Sequence, residues 1–402
     1  MLRACILPGQ SQGGGAMAGT ERIDSKLPGV GTTIFSTMTA LAQECGAINL
    51  SQGFPDFDPP AALVDALGEA ARAGHNQYPP LAGLPRLRVL LAEQLQRYRG
   101  VTVDPEQELT VVPGATEGLY CAITAVVRPG DEVIVLDPVY DSYEPAVTLA
   151  GGRAVHVPLT PGDFAIDWER VAAAITPRTR LLMLNTPHNP CGSTVSREDL
   201  DTLAGLAERH GFLVCSDEVY EHLVFDGAAH HSVLQHPVLR GRSFAHYSFG
   251  KTFSVTGWKT GYCVAPPALT AELRKVHQFV AFVAVSPVQH AIAAFLEAHP
   301  DYPGTLAAAY QARRDRFLGL LADSRFRFRP AAGAYFQLLD YGALSDEPDT
   351  VLCERWTREH GVASVPVSVF QQAPPAGQTL LRFCFAKSDD VLEEAARRLC
   401  AI

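Results

Sequence analysis

The chain has 402 residues, 47% of them hydrophobic, and a formal net charge of −10. That length and composition suit a large core spread over two or three packed units. The acidic balance and the lack of basic clusters argue against a nucleic-acid partner, and no apolar run is long enough to span a bilayer.

At the N-terminus, Arg3 is followed by only a few apolar residues before Pro8 and Gly9, which is not a signal-peptide pattern. Residues 1–20 are rich in small residues and are expected to be a disordered leader, with Met17 as a second candidate start. From there on, short runs rich in Val, Leu and Ile predict strands at 109–112, 132–136, 153–157, 180–184, 211–215, 244–248 and 260–264. Helix-like stretches lie between several of them, such as Arg197–Arg209 with apolar positions three and four apart. The alternation predicts an α/β fold with a mostly parallel sheet covered by helices on both faces. A helical stretch at 268–296 then leads to a smaller α+β unit. Its expected strands are Phe326–Phe328, Ala334–Leu339, Val362–Val365 and Leu380–Phe385, and a helix at 389–400 closes the chain.

Nine cysteines are scattered without C-x-x-C spacing, so neither a disulfide framework nor a metal site is expected, and free thiols suit a reducing cytosol. The thirteen histidines lack H-E-x-x-H spacing, and the adjacent His230 and His231 read as part of a polar loop.

Three constellations carry chemistry. Lys251 lies in a small, glycine-flanked, nearly uncharged segment, Ser248 to Lys259, where an ammonium is not needed for solubility. A lysine in a dry or positively charged setting loses its proton more readily and becomes an amine nucleophile towards an aldehyde. Lys259, Ser248 and Gly250 beside it are suited to an anion, and an amine next to a phosphate cup is what pyridoxal 5'-phosphate requires. Upstream, the apolar run 211–216 ends in Asp217, Glu218 and Tyr220. A carboxylate at the C-terminal end of a buried strand faces the ligand crevice of an α/β sheet, where Asp217 could pair with a protonated pyridine nitrogen. The strand before it runs into Thr186-Pro187-His188-Asn189-Pro190, which offers the Asn189 amide to a phenolate oxygen. Taken singly, Asp217 reads equally as a helix cap and Asn189 as a turn residue; the order of all three favours the cofactor reading. Finally, the strand 109–112 turns through Gly114, Ala115 and Thr116 into a helix, whose free N–H groups suit a phosphate.

These motifs resemble the fold-type I, class I and II aminotransferases that use pyridoxal phosphate. Within them the likeness is to the branch holding kynurenine aminotransferases, glutamine transaminase K and bacterial methionine aminotransferases. The carrying segments are Ile48–Phe57, Asn76–Tyr78, Gly114–Glu117, Asp137–Tyr143, Asn185–Pro190, Ser216–Tyr220, the lysine segment, Gly261–Pro266 and Leu381–Lys387, in family order from about residue 25 to the C-terminus. The resemblance implies a leader at 1–20, an N-terminal arm at 21–55 joined to the small domain, a large cofactor domain at 56–296 and a small domain at 297–402.

It also implies roles. Lys251 would carry the cofactor and shuttle the Cα proton. Asp217 would face the pyridine nitrogen, Tyr220 and Asn189 the phenolic oxygen, and Tyr140 would stack on the ring. Ser248, Lys259 and the backbone of Gly114, Ala115 and Thr116 would hold the phosphate. Arg382 would take the substrate α-carboxylate as a planar two-pronged donor, with Gly53 assisting through its N–H. Tyr78 and the region of Phe282 would come from a neighbouring subunit, which implies a homodimer with shared sites. Relatives often have a polar residue or histidine after the phenylalanine at 282, where this chain has Val283, a change that favours an apolar pocket. The expected reaction is ping-pong transfer of an amino group from an L-amino acid, methionine or an aromatic one first, to a 2-oxo acid. Rival readings are β-elimination from cysteine conjugates, a kynurenine aminotransferase, a dedicated enzyme of a specialised biosynthetic pathway, or the sensor domain of a transcription regulator. The last would need a far longer leader.

Overall fold

The computed structural model describes residues 24–402; the leader expected at 1–20 and the question of Met17 lie outside the described residues. The strands in chain order are β1 (Ile48–Asn49), β2 (Leu109–Val112), β3 (Glu132–Asp137), β4 (Arg153–Pro158), β5 (Thr179–Asn185), β6 (Leu213–Asp217), β7 (Ser243–Ser248), β8 (Gly261–Val264), β9 (Phe336–Asp340), β10 (Val362–Ala363), β11 (Val365–Pro366) and β12 (Leu380–Cys384).

Seven of them form one sheet in the order β2-β8-β7-β6-β5-β3-β4. From β4 to β7 every pairing is parallel, and β8 and β2 complete the sheet antiparallel. Strands β2, β3 and β8 are buried almost throughout, which is why their sequences are near-continuous apolar runs rather than alternating ones. Strand β4, at the edge, is the partly exposed one.

The registers bring Val112, Asp217, Asn185, Ser248 and Gly261 to one end of this sheet: Asn185 lies opposite Asp217, and Ser248 and Val112 both lie opposite Gly261. That end is the carboxyl end of the parallel strands, where α/β sheets bind ligands.

The expected strand at 211–215 starts two residues late and ends at Asp217. The preceding helix, Arg197–His210, opens with a reciprocal capping box between Ser196 and Asp199. It closes on Gly211 at φ +77°, and the turn consumes the first positions. The single helical stretch expected at 268–296 is two helices, Pro267–Val280 and Ser286–Ala298. The break comes where the His277 carbonyl accepts both the Ala281 and Phe282 N–H groups and Phe282 adopts φ +70°.

In the smaller sheets, β12 runs between β11 and β9, all antiparallel, while β1 pairs with β10 in parallel. The strand expected at 362–365 is therefore two short strands in different sheets. The one expected at 326–328 is a single bridge between Arg327 and Asp340, and the one expected at 334–339 begins at Phe336, after Ala334 at φ +60°.

The large sheet and its helices share clusters around Leu91, Ile134, Leu182 and Val214 on one side and Ile123, Val135 and Met183 on the other. A further cluster joins Met38, Leu41 and Leu50 from the N-terminal arm to Phe317, Trp356 and Leu392. Tyr220, Leu223 and Phe225 also pack into that cluster, so the chain just beyond Asp217 bridges from the large sheet to the smaller one. Among the described residues no helix is long and apolar enough to cross a membrane.

Candidate active site

A cavity of about 310 Å³ opens at the carboxyl end of the large sheet. Its anionic end is built from three turns. Helix Ala115–Val126 starts directly after β2 with Gly114 at its cap, φ +79° and without a capping side chain, so the first-turn N–H groups have no intrahelical acceptor. A Cβ on Gly114 would stand 3.3 Å from Cε of Lys259, which itself holds a left-handed conformation at φ +47°. Ser248 caps the short helix Phe249–Thr252 by position only, since its side chain makes no cap bond. Gly261 permits the close approach of the strands here, for a Cβ would fall 2.3 Å from the Tyr247 carbonyl oxygen. A cation, a hydroxyl and a helix N-terminus thus face one volume, a ready anion site.

Asp217 is buried at the end of β6. Tyr143 donates to its Oδ2 at 2.6 Å, and the Asn185 side-chain amide donates to its backbone carbonyl at 2.9 Å. Burial pushes the Asp217 carboxyl up to about 6, against the Tyr143 and Val219 donors and the charge of Lys251, which favour the carboxylate. Tyr140 leans edge-on against Tyr143 and is pushed up to about 12, first by burial and then by Asp141 and Asp217.

Lys251 follows β7 in the short helix and donates to Tyr335 Oη at 2.8 Å and to the Gly53 carbonyl at 3.3 Å. Burial brings its ammonium down to about 8; Lys259 and Arg382 push the same way, while Cys384 and Asp217 oppose. Tyr335 also donates to the Gly53 carbonyl. Gly53 has no room for a side chain, because a Cβ would stand 2.9 Å from Cζ of Phe336.

Arg382, on β12, is fully buried. It donates to Asn189 Oδ1 at 2.8 Å and to the Ser51 carbonyl at 2.7 Å, while its Nε has no partner. The guanidinium stacks 4.1 Å from the Phe336 ring centre, with Phe35 at 5.0 Å. Asn189 is fixed through its backbone N–H to Asn185 Oδ1 at 2.7 Å; with Oδ1 given to Arg382, its NH2 is the group left to donate. Tyr220 is buried edge-on against Tyr335 and Phe336, and burial raises its phenol well above the ordinary range.

The fold therefore brings Gly53, Gly114, Ala115, Thr116, Tyr140, Asn189, Asp217, Tyr220, Ser248, Lys251, Lys259 and Arg382 around one cavity. Tyr78 and Phe282 do not line it. They pack on each other edge to face at 5.3 Å between ring centres, 79% and 42% exposed.

Sequence reasoning gave no role to Tyr335, Tyr143, Phe336 or Asn185. Tyr143 and Asn185 lay inside segments already singled out, and Gly333-Ala334-Tyr335-Phe336, two aromatics behind two small residues at a strand start, was the available signal for the others. The expectation of a polar loop at His230 and His231 fails for His230. It is buried and hydrogen-bonded through Nε2 to Glu218 at 3.0 Å, because Glu218, itself fully buried, requires donors. Glu117, Cys121 and His277 bring ligand atoms within 4.8 Å of one another. Glu117 Oε1 is hydrogen-bonded to His277 Nδ1 and Cys121 Sγ, while Glu117 Oε2 and His277 Nε2 are buried without partners.

With that geometry in place, comparison with known proteins is direct. Residues 46–399 match the family model for aminotransferase class I and II. The methionine aminotransferase of Escherichia coli K12 is 48% identical over 375 residues, 93% of this chain and 97% of that protein. A probable N-succinyldiaminopimelate aminotransferase, DapC, of Mycobacterium tuberculosis is 40% identical over 94% of this chain and 98% of its own length. The crystal structure of YbdL from Escherichia coli, described as having a methionine aminotransferase function, superposes with a TM-score of 0.92 at 47% identity, covering 95% of this chain and all of that one. The chain belongs to the class I and II aminotransferases and is an enzyme that moves an amino group from an amino acid to a 2-oxo acid.

Proposed function

We propose that the cavity holds pyridoxal 5'-phosphate and that the preferred amino donor is methionine, with phenylalanine, glutamine and kynurenine behind it. The residues fit the cofactor. The uncapped Ser248 hydroxyl, the Lys259 ammonium and the free N–H groups of Ala115 and Thr116 suit its phosphate. Asp217, a buried carboxylate held short of full ionisation at neutral pH by desolvation, suits a cationic ring nitrogen. Tyr220 and the NH2 of Asn189 suit a phenolate oxygen, and Tyr140 offers a ring face.

When bound, the cofactor supplies an aldehyde and an electron-accepting ring. The chain supplies the rest. Lys251, brought down to about 8, gives up its proton far more readily than a free lysine, so it can act as nucleophile and then carry a proton to and from the substrate Cα. Arg382, rigidly stacked and with Nε unpartnered, receives the α-carboxylate, and the Gly53 N–H assists.

The observation that carries the donor preference is the charge inventory of the cavity. Its cations are Lys251, Lys259 and Arg382, and each has a task, so none remains for a distal carboxylate. Leaving that carboxylate unpaired against Phe35, Phe54 and Phe336 would cost several kcal/mol. An unbranched thioether fits irregular apolar space and makes favourable contacts with aromatic rings. The E. coli relative named for methionine is consistent with this.

We further propose a homodimer in which the exposed pair Tyr78 and Phe282 reaches the neighbouring subunit's cavity; their exposure and their absence from this chain's own cavity support that reading. A screen of amino donors with the purified holoenzyme tests the preference. Methionine is expected to give the highest kcat/KM, and aspartate above methionine would overturn the pocket assignment while leaving the transamination chemistry intact.

A further inference from the structure

A second cavity, of about 290 Å³, opens beside residues 221–231, the stretch that follows Asp217 and Tyr220, and shares no lining residue with the first. Helix Pro85–Arg99 contributes Tyr98 and Arg99, the start of helix Arg197–His210 contributes Arg197, and the loop contributes Glu221, His222, His230 and His231. Helix Tyr302–Leu320 closes it with Pro303, Gly304 and Ala307, which bring no charge and leave space.

We propose that this cavity is a binding site for a small multivalent oxyanion, of the phosphate or the di- or tricarboxylate class. The donor balance carries the assignment. Glu221 is the one carboxylate in the lining and is already engaged: Arg99 donates to its Oε2 at 2.8 Å and Tyr262 to its Oε1 at 3.3 Å. Arg99, with a side chain only 9% exposed, keeps an unpartnered Nε. His230, 2% exposed, is tied through Nε2 to Glu218, and with Nε2 donating the Nδ1 of the neutral ring is an acceptor, so it adds no donor. A buried guanidinium donor without an acceptor is costly, and the lining sets two guanidiniums, Arg99 and Arg197, against the single carboxylate of Glu221, a balance that an anion completes. Arg197 stands exposed at the rim, where it can meet an entering anion. A cation is disfavoured, since the lining imidazoles and Glu221 make no close ligand set like that of Glu117, Cys121 and His277.

The electrostatics agree. Burial holds His222 down to about 4, with Arg99 and His230 adding to it and Glu221 opposing. His231 is lowered by burial and then by Arg197 and His230, against Glu198. An anion reverses the effect of the cations, so its binding takes up protons and strengthens as pH falls.

Calorimetric titration of the holoenzyme with inorganic phosphate, and separately with citrate, tests the site. The cofactor then fills the catalytic phosphate cup. One anion per chain is expected, bound more tightly near pH 6 than near pH 8. In the Arg197→Ala/His231→Ala double variant its affinity should fall by about tenfold or more. Transamination without added anion should be unchanged in that variant. Binding of phosphate alone assigns the phosphate class, and binding of citrate alone the carboxylate class. The proposal is overturned if neither anion binds the wild type, or if the double variant binds as tightly as wild type, as capture of citrate by Arg382 would give.

Discussion

The wall of the catalytic cavity that carries Asp217, Ser248 and Lys251 belongs to neighbouring strands of one sheet. The wall that carries Gly53, Tyr335 and Arg382 joins segments as far apart as 333 residues. On the first wall, backbone ladders set the positions: Asp217 and Ser248 end their strands, and Lys251 sits in the short helix that follows Ser248. On the second, a few side-chain bonds to main-chain carbonyls do the positioning: Arg382 to Ser51, Lys251 and Tyr335 to Gly53, and Lys387 to Phe54. Substitutions on the sheet wall should therefore remove chemistry from an intact scaffold. Those on the other wall should loosen the arm at 51–54 and change binding geometry as well.

The largest effect belongs to Lys251→Ala. Loss of both the covalent anchor and the proton carrier should lower kcat by at least about 10⁴-fold, the upper range for a general acid–base group. Single-turnover conversion of the bound amino acid at the wild-type rate would remove Lys251 from the reaction. The same variant tests subunit sharing. Mixed with Tyr78→Ala chains and allowed to exchange, it should regain part of the lost activity if Tyr78 serves the neighbouring cavity. No recovery after exchange is verified would confine Tyr78 to its own chain.

Asp217→Ala comes next, with an expected loss of about 3 kcal/mol in activation free energy from deletion of a buried charged partner. Its pH signature is separable from that of Lys251. With its carboxyl raised to about 6, Asp217 offers a carboxylate only above that value; with its ammonium lowered to about 8, Lys251 is mostly neutral only above that one. Reconstitution of apoprotein with the cofactor should therefore accelerate in two limbs as pH rises, near 6 and near 8. Asp217→Ala should erase the lower limb and leave the upper. A lower limb that survives the substitution would assign it to another group.

These two residues also show why the sheet wall was legible in the sequence. An apolar run that stops at a carboxylate, or at a lysine in an uncharged segment, records its own position, because a strand end in an α/β sheet is a site by topology. Arg382 was recognisable only through the apolar residues around it and the family likeness. Tyr335 carried no such mark, since its partners Lys251 and Gly53 lie 84 and 282 residues away. Phe282 and Tyr78 were assigned to a neighbouring subunit through the family likeness alone, because no local pattern says which chain's cavity an exposed aromatic serves. The break at 281–285 was missed because the helical periodicity continues on both sides of it.

On the second wall, Arg382→Lys keeps the charge and removes the planar fork. It should cost about 2 kcal/mol in kcat/KM, the worth of a charge-assisted hydrogen bond. Most of the loss should fall in KM, since the carboxylate is held equally before and during the reaction. A change confined to kcat would mean that Arg382 acts on the reacting atoms instead.

The smallest expected effect is the most informative about that wall. In Tyr335→Phe the ring stays to pack against Tyr220 and Phe336, and only the hydroxyl between Lys251 and the Gly53 carbonyl is lost. One hydrogen bond of that kind corresponds to about tenfold or less in rate. The sign on Lys251 follows from which form the hydroxyl favours. As an acceptor it stabilises the ammonium, so its removal lowers the lysine further, and the upper limb of the reconstitution profile should move below about 8. A Tyr335 that merely filled space would leave the limb in place, and a limb that moved upward would mean the hydroxyl donates to the neutral amine. Only the downward shift, with the fold intact by thermal melting, makes the hydroxyl the group that holds Lys251 ready beside Gly53.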